Sequence, residues 1–183
     1  FLVVLLSFSI LPKWGFSQEE KETEKAIKIV PLITSSPLLG FGVGAAVSFL
    51  YSTDDDLSSK SQLQLGGQYS NTNSLSIFLK NNAWFNNNKI LSSTIASYSS
   101  INNEFFSDGK DVAYNVKSLL ISELILFKVH KNIYLGGPLK YKQLYYEPNN
   151  EAGADFLFRN GFQNERSLGI GVSASFDSRV NKY

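Results

Sequence analysis

From residue 40 onward, apolar residues recur at every second position, the period of a strand with two unlike faces. Over residues 40–51, Phe41, Val43, Ala45, Val47, Phe49 and Tyr51 share one face, opposite Gly40, Gly42, Gly44, Ala46, Ser48 and Leu50. Residues 62–70 set Leu63, Leu65, Gly67 and Tyr69 against glutamines, serine and glycine. In residues 167–177, Leu168, Ile170, Val172, Ala174 and Phe176 oppose Gly169, Gly171, Ser173, Ser175 and Asp177. Residues 74–85, 89–100, 112–129 and 132–146 read as further strands. The first of these loses its alternation near Asn81 and Asn82, and the run 119–127 would also suit a short buried helix on periodicity alone. Pro138 lacks a ladder donor and suits a bulge or an edge. Turn-forming residues at 52–60, 71–73, 86–88, 102–111 and 147–166 supply the connections. The pattern predicts an all-β meander of about seven antiparallel strands without helical crossovers.

Strand length separates a membrane barrel from a soluble sandwich. Phe41 and Tyr51 lie ten steps apart; at ~3.3 Å per residue and a tilt of ~40° they are about 25 Å apart along a membrane normal. That is the height of the apolar band of an outer-membrane barrel, whereas soluble strands average ~5–6 residues. The polar face, with Gln62, Gln64, Gln68, Ser173 and Ser175, suits a wet lumen. The expected fold is therefore an antiparallel transmembrane β-barrel, with residues 40–183 forming its first part. A soluble sheet with its polar face in bulk water is the alternative.

The start of the chain supports export. Residues 1–11, FLVVLLSFSIL, have the length of a signal-peptide apolar region and precede the small-residue pattern Gly15-Phe16-Ser17. The expected leader is 1–17, followed by a charged tether over 18–39. With no Met in the sequence, a fragment is expected, with more strands after Tyr183. Long gaps at 102–111 and 147–166 fall on one side of the sheet. That contradicts the usual barrel asymmetry unless an extra strand precedes Gly40, over 26–34.

Composition removes other chemistries. With 17 Lys+Arg against 16 Asp+Glu and no basic cluster, no nucleic-acid partner is expected. No Cys and one His, His130, argue against thiolate zinc sites, redox motifs and histidine metal centres. No serine stands out as a nucleophile beside His130, so no catalytic residue is assigned and no enzyme activity expected. Asp54, Asp55 and Asp56 read as a solvated loop, and the glycines at 40, 42 and 44 as strand packing. No cofactor or metal is expected.

The final stretch, Gly169-Ile170-Gly171-Val172-Ser173-Ala174-Ser175-Phe176-Asp177-Ser178-Arg179-Val180-Asn181, resembles a barrel strand of the bacterial surface antigen superfamily, the BamA/TamA-like outer-membrane proteins. In that pattern Gly-x-Gly precedes an aromatic residue and Asp-x-Arg-Asp-Asn. Asp177, Arg179 and Asn181 match, while Val180 replaces the second acid. Residues 37–44 and 104–110 are similar to weaker patterns of the same family. The resemblance covers residues 31–183 and implies a sixteen-stranded barrel that inserts or translocates proteins at the outer membrane, here without polypeptide-transport-associated domains. Its implied partners are outer-membrane lipid and client outer-membrane or secreted proteins.

Several residues follow as candidates. Asp177 and Arg179 form a candidate lumenal pair, with Asn181 completing the motif. Glu123 is expected to point into the lumen, because a charge facing lipid at the midplane is costly. Phe41, Tyr51, Trp84 and Phe85 are expected to form interfacial girdles. The expected function is macromolecule insertion or translocation at the outer membrane. A passive diffusion channel and a soluble secreted β-barrel binding a ligand are the alternatives.

Overall fold

The computed structural model describes residues 27–36, 40–53 and 59–177. The leader, Trp14, Asp54 to Asp56, Arg179 and Asn181 lie outside the described residues.

Nine strands form one antiparallel sheet: β1 (Ile27–Ser36), β2 (Gly40–Tyr51), β3 (Ser61–Ser70), β4 (Leu75–Phe85), β5 (Ile90–Ser107), β6 (Lys110–His130), β7 (Ile133–Pro148), β8 (Glu165–Ile170) and β9 (Ser173–Phe176). Neighbours in sequence pair as neighbours in space from β1 to β8, and β9 also pairs with β7. One helix, α1 (Glu151–Arg159), interrupts the meander. Among the described residues no helix is long and apolar enough to cross a membrane. The sheet is open, with β1 at one edge and β8 and β9 at the other.

The all-β antiparallel meander is as the alternation predicts, with four differences. The segment read as tether contains β1, at the place of the extra strand allowed for over 26–34. The last strand is split, yet Leu139 opposite Ile170 and Gly136 opposite Ser173 keep a single register. The gap falls at Pro138, which has no N–H to give. It is a missing rung, held by the Gly171 N–H donating to the Pro138 carbonyl at 3.0 Å. Residues 102–111 are not a loop, because β5 and β6 continue to a two-residue turn at Asp108 and Gly109, with φ of 53° and 74°. Asp-Gly suits such a turn because both positions need positive φ. Finally, the connection expected over 147–166 carries α1, while residues 119–127 are strand inside β6, as the meander has them.

Residues directly opposite across neighbouring strands share a face. One register row holds Val47, Leu65, Leu79, Ala96, Ile121, Tyr141 and Leu168. The adjacent row, on the other face, holds Ala46, Gly66, Phe78, Ser97, Leu120, Lys142 and Ser167. The apolar face is the exposed one: Phe41 and Val43 keep 53 % and 54 % of their surface open, while Gly42, Ala46 and Ser48 of the same strand are buried. Side chains crowd one another on the small and polar face. A Cβ added to Gly66 would lie 2.5 Å from the Phe78 ring, so only glycine lets that ring lie flat across β3.

Candidate functional site

The polar face carries most of the chemistry, and hydrogen bonding organises it. Ser48 accepts from Gln62 Nε2 at 2.8 Å, and Asn82 accepts from Ser93 at 2.7 Å. Toward one end, Ser70, Thr72 and Ser74 form a hydroxyl chain at 2.8 and 3.0 Å, and Ser74 Oγ accepts the Asn102 N–H at 2.9 Å. Among the described residues no buried side-chain nitrogen or oxygen lacks a partner. A face that hides this many polar groups is stable only when each is paired, because an unpaired one costs roughly 1–3 kcal/mol.

At the end nearest the β5–β6 turn, α1 is docked on the polar face. Its sequence carries its own start and stop signals. Asn150 caps the N-terminus by accepting from the Gly153 N–H at 2.7 Å, Glu151 lies in the first turn, and Arg159 pairs with Asp155 in the last. The cap also fixes the helix to β6: Asn150 Oδ1 accepts from the Ala113 N–H at 3.2 Å, and Nδ2 donates to the Asp111 carbonyl at 2.8 Å. Helix and strand meet backbone to backbone at Gly153, where a Cβ would sit 2.0 Å from the Ala113 carbonyl oxygen. Phe156 closes the joint, edge-on to Phe105 at 5.1 Å and stacked on Tyr114 at 5.8 Å, with Phe162 bridging from Phe156 to Tyr146. A hollow of about 470 Å³ lies beside the helix, lined by Ser107, Asp108, Lys110, Asp155 and Arg159 among others. A second, of about 520 Å³, opens on the same face at the other end and includes Lys60, Gln62, Asn82, Trp84 and Ser175.

The candidate residues are scattered. Asp177 follows β9, and its N–H donates to the Asn132 carbonyl at 2.8 Å, tying the strand end to the β6–β7 turn. Its expected partners Arg179 and Asn181 lie outside the described residues. Glu123 corrects an expectation. It lies between Ile121 and Ile125 and opposite Thr94 and Leu139, on the apolar face and not the polar one. There its side-chain oxygens accept from Ser92 at 2.6 Å and Thr94 at 2.5 Å. Trp84 is the second correction. It faces the polar side, 9 % exposed against Leu126 and edge-on to Tyr134 at 5.9 Å, and not the face that carries Phe41 and Phe85. Phe41 and Phe85 are exposed on the apolar face. Tyr51 starts from that face but reaches across β3 to donate to Asn81 at 2.7 Å, passing Ser61, which is wholly buried. His130 is exposed at the end of β6, and no metal-holding cluster occurs among the described residues.

Sequence reasoning missed α1, whose capping signals were readable, and the register that aligns distant lysines, which was not. Comparison with protein-family models, curated proteins and solved structures finds no match for this chain.

Proposed function

We propose that this sheet is the lipid-facing wall of an outer-membrane β-barrel whose polar face lines the lumen. The observation that carries the reading is the slant of the apolar belt. On β2 the exposed apolar residues Phe41, Val43 and Ala45 centre on Val43, and on β6 the set from Ile121 to Val129 centres on Ile125, which is level with Tyr51 of β2. From residue 43 to residue 51 is ~26 Å along the strand, gained over four strand spacings of ~4.8 Å, a slope of about 54°. Strands tilted by ~35–45° would bring such a belt close to level with a membrane plane. A soluble ligand binder has no use for a diagonal apolar stripe in water, where Val43, Ile77 and Ile121 would each stand about half exposed.

In hydrocarbon, unpaired edges at β1 and at β8 and β9 would cost several kcal/mol per group, so the wall must close, with both edges paired in the membrane. Within this reading, insertion or translocation of proteins or other macromolecules is the activity that the resemblance of residues 169–181 implies, and it is proposed on that ground. The helix docked across one end of the polar face disfavours a wide passive channel. Fractionation of cells making the complete protein, combined with gel mobility before and after boiling, tests the wall. Outer-membrane recovery with a compact, heat-modifiable band is expected, and recovery in the soluble fraction overturns it.

A further inference from the structure

On the polar face, one register row carries a lysine at every third strand. Lys28 of β1 is separated from Lys80 of β4 by Ser48 and Gln64, and Lys80 from Lys140 of β7 by Ile95 and Ser122. Three strand spacings are ~14 Å. Lys142 adds a fourth ammonium two residues farther along β7, on the same face. All four are exposed, and none is in an ion pair among the described residues. The carboxylate on that face of β8, Glu165, stands opposite Leu144, outside the row. Each gap is floored by at least one hydroxyl or amide, so an anion between two lysines meets a hydrogen-bond donor and not a carboxylate.

We propose that this row is an anion track, and that the solutes or cargo segments moving along the wall carry phosphate or carboxylate groups. The placement rests on the membrane-wall reading, in which the row lines the lumen. There, strand tilt turns a row perpendicular to the strands into a ramp. Lysines ~14 Å apart are too far apart to grip one small anion together, and the spacing exceeds the ~10 Å screening length at 0.1 M salt. They instead form successive stations in a low-dielectric groove, where one sign of charge raises the local concentration of its counter-ion. Rings of basic side chains select anions in pores by the same means.

The sequence has no cysteine, so single thiols can be introduced without background. Ile95→Cys places one in the row beside Lys80, at a position 36 % exposed. In membranes containing the complete protein, its reaction rates with an anionic and a cationic methanethiosulfonate of similar size are compared. The anionic reagent is expected to be favoured by about tenfold relative to a free thiol. That preference should collapse in the Lys80→Gln, Lys140→Gln background and in 1 M salt. A ratio equal to the free thiol's, or one unchanged by removing the lysines, overturns the track. Leu65→Cys, on the apolar face, keeps the two readings apart. If it reacts as freely as Ile95→Cys, the membrane wall fails whatever the anion preference at Ile95→Cys.

Discussion

Along β2, Ala46 and Ser48 are nearly hidden while Phe41 and Val43, on the opposite face, stand in the open; at the end of β4, Trp84 is buried and its neighbour Phe85 is 40 % exposed. The two faces differ in what surrounds them and not only in composition. On the polar face, hidden groups such as Ser48 and Trp84 are held by a hydrogen bond or a small aromatic cluster. On the apolar face, large side chains such as Val43, Ile77 and Ile121 stand about half exposed. Hydrophobic burial by solvent exclusion acts on the first face inside the sheet, and on the second it needs an environment that the described residues do not provide.

The sharpest test of that contrast is the adjacent pair. Trp84→Ala removes the centre of the cluster with Leu126 and Tyr134 and should cost ~3–5 kcal/mol, measured by denaturant titration of the complete protein in lipid vesicles. Phe85→Ala, on the open face, should cost less than half of that. Next in size is a charge on the apolar face. Ile77→Lys should lose ~2–4 kcal/mol in the same vesicles, while Ser76→Lys, one residue away on the polar face, should change little. Equal effects would erase the difference between the faces. Asn150→Ala strips the cap that also fastens α1 to β6; a loss of ~1 kcal/mol is expected, seen as faster hydrogen exchange across α1 with the β6–β7 ladder unchanged.

Smaller still is the effect of making the apolar face uniform. Glu123→Leu with Ser92→Ala and Thr94→Val removes donors and acceptor together, so stability in vesicles should hold or rise by up to ~1 kcal/mol. A large loss would mean that Glu123 serves something other than its two hydroxyls. The exposed Lys117 to Glu147 pair, at 2.6 Å, marks the floor of the scale: Lys117→Met should produce no resolvable change.

Alternation made β2, β3 and the last strand legible, because their two faces differ in nearly every residue. β6 hid its parity. Leu120, Leu124 and Leu126 face the polar side while Leu119, Ile121, Ile125 and Phe127 face the apolar side, so the run 119–127 has no visible period and the face expected for Glu123 rests on the cost of its charge alone. Trp84 was misplaced for a related reason: near that end the polar face has its own apolar cluster, and a tryptophan suits either side. Asn81 and Asn82 blurred β4 because each is satisfied across the sheet, on opposite faces, by Tyr51 and Ser93. The lysine row was beyond reading, since alignment across seven strands depends on every intervening turn and bulge.

The β5–β6 hairpin outgrows its neighbour on one side: β4 stops pairing at Leu75 opposite Ser100, yet β5 runs on to Ser107. A bare two-stranded ribbon is marginal in water. By leaning against Phe105 and Tyr114, α1 acts as a strut for that overhang, so nine helical residues stiffen a hairpin end that β4 leaves uncovered.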